Sequence, residues 1–309
     1  MHLTQRAHGS NGGSRGRPHG WTLSEASLAR LFLAPSVSVL ALVALFPVLY
    51  AGSLSLYLYD GRDREGFTGI ANYAHAFSDE RFWQAVLATF TFTGSSVTLE
   101  LFIGLGFALL MAQAFRGQGP TRAVILVPWI IPTVIAAQMW YFMFNIQPGF
   151  INHSIPLVPR DFNWLGQKGW TMAALIVADV WKTAPFMALL LLAGLQVIPQ
   201  ELYESARTDG ASAWRRFLHI TLPILRPTIL VALLFRTVDA LRVYDLPKVM
   251  TNGTFGTETL SMLVERYVIQ TVNPGIASAL AVMTFATVLG VSLIFVSFLS
   301  KNLLLGSRA

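Results

Sequence analysis

The chain has no cysteine, which removes a disulfide framework, a thiolate metal site and a cysteine nucleophile together, and leaves the redox compartment unread. Charge is scarce: Asp, Glu, Lys and Arg make up 12% of 309 residues, against roughly 25% in a soluble domain. No Gly-x-x-x-x-Gly-Lys-Ser/Thr phosphate loop occurs, so the chain is not expected to hydrolyse ATP alone. No His-Glu-x-x-His or Gly-x-Ser-x-Gly arrangement supports an intramembrane enzyme, and His75, His153 and His219 fall in loops, so no catalytic residue and no metal ligand is assigned. The net charge of +6 is scattered over short loops without a basic face, which points to membrane topology and away from nucleic acid.

What is present in quantity is apolar: 54% of residues, grouped into runs of a length that crosses hydrocarbon as a helix. Six such runs fall at about Leu31 to Tyr57, Trp83 to Phe115, Arg122 to Phe144, Thr171 to Ile198, Leu222 to Asp245 and Ile276 to Ser300. The expected fold is therefore an all-α, multi-pass membrane protein with six transmembrane helices. The first run is too long for a signal-peptide core and no small-residue cleavage site closes it. Residues 1–29 read as a disordered cytoplasmic tail, 30–301 as the membrane domain and 302–309 as a short cytoplasmic tail. Six spans put both termini on one side; that side holds twelve Lys and Arg against seven opposite, so the termini are expected in the cytoplasm. Opposite loops are rich in Gly, Pro, Asn and aromatics, with Trp164 and Trp170 suited to the headgroup level. In span two, Gly94, Ser95, Ser96, Gly104 and Gly106 offer small surfaces for close packing, within the chain or against a partner.

Between spans four and five, residues 199–223 break the apolar pattern. Pro199 ends span four; Glu201 and Glu204 then complement the start of a helix dipole and Arg207 its end. Asp209-Gly210 stops that helix, because glycine readily takes the left-handed conformation. Ser212 can cap a second short helix, Ala213 to His219, before Pro223 opens span five. The spacing predicts a cytoplasmic helix-turn-helix knob whose Leu202, Tyr203, Ala206, Trp214, Phe217 and Leu218 can pack on the spans or on a partner.

This stretch resembles the signature loop of the inner-membrane subunits of binding-protein-dependent ABC importers. Glu204, Ala206, Asp209, Gly210, Ala211, Phe217, Ile220, Leu222, Pro223 and Pro227 all match its pattern, and Ser205 replaces the usual first alanine. The resemblance implies the transmembrane domain of a type I importer in a bacterial or archaeal cytoplasmic (inner) membrane. It implies that the loop is a coupling helix, with Glu204, Ala206, Asp209, Gly210 and Ala211 seated on an ATPase subunit. It further implies a second homologous permease, two copies of that ATPase binding ATP and Mg, an extracytoplasmic sugar-binding protein, and no cofactor in this chain itself.

The rare charges in the spans are the remaining signal. Asp179 and Lys182 lie three apart in span four, as do Arg236, Asp239, Arg242 and Asp245 in turn in span five, so opposite charges can meet one helical turn along. Glu100 in span two has no evident partner within its span. A charge at the helix centre costs about 2.5 to 3.5 kcal/mol, so these groups are expected to face protein or water. They brace the spans or line a wet path; the path candidates are Trp181, Lys182, Arg236, Asp239, Arg242 and Tyr244. Pro128, Pro132 and Pro185 interrupt spans three and four. Spans four and five also resemble those of trehalose- and maltose-type importers, which implies an α-glucoside disaccharide moved by alternating access. Sugar alcohols or glycerol phosphate esters are the alternative substrates, and an ion-coupled secondary transporter is the alternative mechanism, without an internal repeat to support it.

Overall fold

The computed structural model describes residues 24–113, 115–147 and 149–306, so most of the expected N-terminal tail and residues 307–309 lie outside the described residues. The elements are α1 (Glu25–Leu40), a wide π turn (Ala41–Leu45) and α2 (Phe46–Leu54). A hairpin of β1 (Tyr57–Asp60) and β2 (Asp63–Phe67) follows, then α3 (Ala71–Ser78) and α4 (Glu80–Ala112). Next come α5 (Gln118–Ile130), α6 (Thr133–Phe144), α7 (Phe150–Ser154), α8 (Trp170–Gln196), α9 (Gln200–Thr208) and α10 (Ala213–Arg216). A second π turn (Phe217–Thr221) leads to α11 (Leu222–Leu241), α12 (Asp245–Met250), α13 (Leu260–Ile269) and α14 (Pro274–Gly306).

The chain divides after Leu49. In the first unit α1 begins inside the stretch read as tail: the Ser24 hydroxyl accepts from the Ser27 N–H at 3.3 Å and starts the helix at Glu25. Its Leu, Val and Phe side chains stand exposed along the whole length, the composition of a helix solvated by lipid.

In the second unit α4 and α8 lie along each other and α11 packs on both. The close approach is made by glycine. A Cβ added at Gly104 would stand 2.7 Å from Met187 Cγ, and one at Gly194 would stand 2.5 Å from Thr228 Oγ1. Gly94 and Gly106 meet nothing within 4 Å, so only Gly104 of the span-two glycines packs inside the chain. At one end of this bundle α3, α13 and the first turns of α4 share a core with Phe82, Leu263 and Leu280; α9 lies at the other end, beside the last turn of α4.

Two expectations change. Among the described residues five helices are long and apolar enough to cross a membrane, six spans with the pair α5 and α6 counted as one, and the third expected span is this broken pair, bent by 93°. Pro132 sits at the bend, where it offers no N–H and pushes Ile131 into extended backbone. The second change concerns the helix expected to stop at His219. It runs on through the π turn into α11, so Ala213–Leu241 is one helix of 29 residues. In that turn the Leu222 N–H reaches back to the Phe217 carbonyl, and Pro223 follows. The first π turn is built alike: the Phe46 N–H bonds the Ala41 carbonyl just before Pro47. One extra residue in the turn moves the carbonyl that a proline ring would strike, and the helix survives.

Candidate functional site

The polar knob forms as its sequence requires. Gly210 takes φ +74, the Ala211 N–H bonds the Ala206 carbonyl at 2.9 Å and the Gly210 N–H the Arg207 carbonyl at 3.0 Å. This double closure caps α9 by a left-handed glycine. The Ser212 hydroxyl then accepts from the Arg215 N–H at 3.3 Å and opens α10. Two side-chain bonds tie the knob to the long helix: Tyr203 Oη to Thr221 Oγ1 at 2.8 Å, and Arg216 Nη1 donating to the Ala211 carbonyl at 2.6 Å. Glu204, Asp209 and Gly210 are exposed, Ala206 and Ala211 half-buried, and Trp214 is 67% exposed although stacked on Phe217. A cavity of about 640 Å³ separates α9 and α10 from the ends of α4 and α8.

Inside the spans, three helices meet on one guanidinium. Arg236 of α11 is 2% exposed; its Nη2 donates to Glu100 Oε1 of α4 at 2.8 Å and to Asp179 Oδ2 of α8 at 2.5 Å. Its Nη1 donates to Asp239 Oδ2 at 2.9 Å, and its Nε stands 2.5 Å from Glu100 Oε2 as an ion pair off the hydrogen-bond angle. The Thr183 hydroxyl completes the Glu100 site at 2.8 Å. Glu100, which shows no partner within its own span, is thus fully buried against a cation 136 positions away. The bonds satisfy charges that would otherwise make the burial prohibitive.

The one-turn pairing expected along the helices holds only for Arg236 and Asp239. Asp179 turns to Arg236 and away from Lys182, because the guanidinium reaches both carboxylates at once. Arg242 lies past the end of α11 and Asp245 opens α12, so the chain leaves the helical register that would have paired them. Among the described residues neither Lys182 nor Arg242 makes an ion pair.

Five of the six path candidates border one cavity of about 170 Å³: Lys182, Arg236, Asp239, Arg242 and Tyr244. Trp181 does not; its ring packs edge-on against Trp140 at 5.6 Å within the core of α6 and α8. Trp164, expected at headgroup level, is half-buried, its Nε1 donating to Asn152 Oδ1 at 2.6 Å. Sequence reasoning left out Thr133 and Thr183, which also line the charged cavity and carry no signal of their own in an apolar run.

The chain matches the family described as binding-protein-dependent transport system inner membrane component over residues 101–304. It is 41% identical over 279 residues to the trehalose/maltose transport system permease protein MalF of Thermococcus litoralis, covering 88% of this chain and 93% of that one. It is 39% identical over 285 residues to the sulfoquinovosyl glycerol transport system permease protein SmoG of Agrobacterium fabrum, covering 89% and 92%. The crystal structure of a bacterial ABC transporter that imports the acidic polysaccharide alginate superposes with a TM-score of 0.77 over 89% of this chain and 95% of the other, at 23% identity, a likeness of fold. The chain belongs to the binding-protein-dependent transport system inner membrane component family.

Proposed function

We propose, with that membership as the premise, that the chain forms half of the translocation path of an ATP-driven importer for a sugar, an α-glucoside disaccharide of the trehalose or maltose type. The observation that carries the substrate is the 41% identity to a trehalose/maltose permease over 88% of the chain. The charged cavity supports it by its balance: the lining carries three carboxylates (Asp179, Asp239, Asp245) and three cations (Lys182, Arg236, Arg242), so no net positive charge draws an anion in. In this reading the termini and α9 are cytoplasmic and α13 lies on the outer side. The knob of α9 and α10 seats on a separate ATPase that binds ATP and Mg. Two such ATPases, a second permease and an extracytoplasmic binding protein complete the assembly, and the path opens to each side in turn.

A second reading has its own support. Lys182 and Arg242 are unpaired among the described residues, and a relative at 39% identity is named for a sulfonated glycoside, so an anionic sugar would find two cations. Uptake into proteoliposomes holding the whole assembly decides between them. Trehalose import driven by ATP without an ion gradient, competed by maltose and unaffected by sulfoquinovosyl glycerol or glycerol phosphate, is the expected result. Import driven by an ion gradient alone would sink the importer reading. Coupling is tested separately: cysteines placed by Ala206→Cys or Gly210→Cys should crosslink to the co-expressed ATPase.

A further inference from the structure

α6 and α12 pack together, and both run from the charged cavity to a second, larger one. Thr133 and Leu246, near one end of each helix, line the first; Gln138, Tyr141 and Asn145 of α6 and its cap, with Met250 of α12, line the second. The span is short, about 9 Å along the six residues of α12. The second cavity holds about 570 Å³, within the roughly 300–1,000 Å³ of small-ligand sites, whereas the charged cavity at about 170 Å³ falls below that range.

Its lining is of another kind. No lining residue is charged, and four amides, Gln138, Asn145, Asn163 and Asn252, stand around it with Tyr141 and Thr251. Among the described residues the side chains of Gln138, Asn163 and Asn252 and the Tyr141 hydroxyl make no hydrogen bond within the chain. A carboxamide offers donors and an acceptor in one plane, which matches a hydroxyl that both gives and takes a proton; a row of amides beside an aromatic ring is therefore a polyol surface. The absence of charge makes it indifferent to ionic groups.

We infer that this amide-lined cavity is a separate binding station for a neutral sugar, occupied on the outer side before the sugar reaches the charged cavity. The inference rests on the reading above that the substrate is a neutral sugar and that the α13 end faces outward.

This chain has no native cysteine, so a thiol introduced into it is its only one, and its labelling is read on this subunit after the subunits are separated. The assembly carrying Asn163→Cys is held in lipid nanodiscs and its labelling by a water-soluble maleimide is timed with and without trehalose. Trehalose at about ten times its dissociation constant should slow labelling about tenfold, by mass action. An exposed thiol placed outside the lining by Phe255→Cys should react equally with and without sugar. Adding Gln138→Ala and Asn252→Gly should abolish the protection; glycine is chosen because Asn252 sits at φ 48, where glycine is unstrained. Unchanged labelling at sugar concentrations that saturate ATP-driven uptake overturns the station, and so does a thiol at position 163 that never reacts, since the cavity is then covered. Uptake by the unsubstituted assembly is measured alongside. Its failure to import trehalose sinks the sugar reading itself, while normal uptake without protection sinks only the station.

Discussion

Two ion clusters join distant parts of the second unit with mirrored chemistry. In the spans one arginine, Arg236, holds Glu100, Asp179 and Asp239; at the α13 end one carboxylate, Glu258, holds Arg81 at 2.6 Å and Arg266 at 2.7 Å. The distances match, but the surroundings do not. Arg236 and Glu100 are 2% and 0% exposed, while the Arg81 and Arg266 side chains are 46% and 27% exposed around a Glu258 that is 12% exposed. Water can replace a lost partner in the second cluster and cannot in the first. The same bond therefore carries more of the fold at one site than at the other, whose arginines stay in reach of water, and geometry alone does not tell them apart.

Arg236→Met should widen that contrast most. It strands two buried carboxylates, and a loss of about 3–5 kcal/mol is expected in the unfolding of the purified protein in detergent. Arg81→Met should stay under about 1 kcal/mol, and equal losses would break the comparison. Replacing Arg236, Glu100 and Asp179 together by apolar residues of similar size should return stability to within about 1 kcal/mol of the parent, which shows the cost to be desolvated charge. Gly104→Leu drives a side chain where even a Cβ meets Met187, for about 1–3 kcal/mol, and Gly106→Ala should be neutral. Gly210→Val forces a branched residue to φ +74 at about 1–2 kcal/mol, expected to show less in melting than in ATP hydrolysis that no longer moves sugar. Least of all, Glu258→Gln should cost under about 1 kcal/mol and nothing at high salt.

The knob was readable residue by residue because caps act over a few positions. Asp209-Gly210 and Ser212 announce their turn and do what they announce. The membrane cluster was not, since Glu100 meets Arg236 across 136 positions and Asp179 across 57; helical spacing suggests neighbours along one rod and is blind to the rod beside it. Prolines fall between these cases. Pro132 marks a bend in the sequence but not its 93°, which the packing of α5 on α8 and α6 on α12 decides. Pro47 and Pro223 follow π turns, while Pro35, Pro185 and Pro227 sit in ordinary helix, so the residue type alone does not specify the wide turn. Trp181 and Tyr244 looked equivalent as path aromatics, and only the direction of α8 sends the first into the core.

The unbroken run from Ala213 to Leu241 gives the buried cluster a lever arm. Ala213 and Arg236 ride on one stiff rod, separated by about 35 Å at 1.5 Å per residue. A tilt of about 5° at the knob then sweeps the guanidinium by about 3 Å, more than the length of the bonds it makes to α4 and α8. A tilt of that size would be enough to part the guanidinium from the carboxylates that hold it.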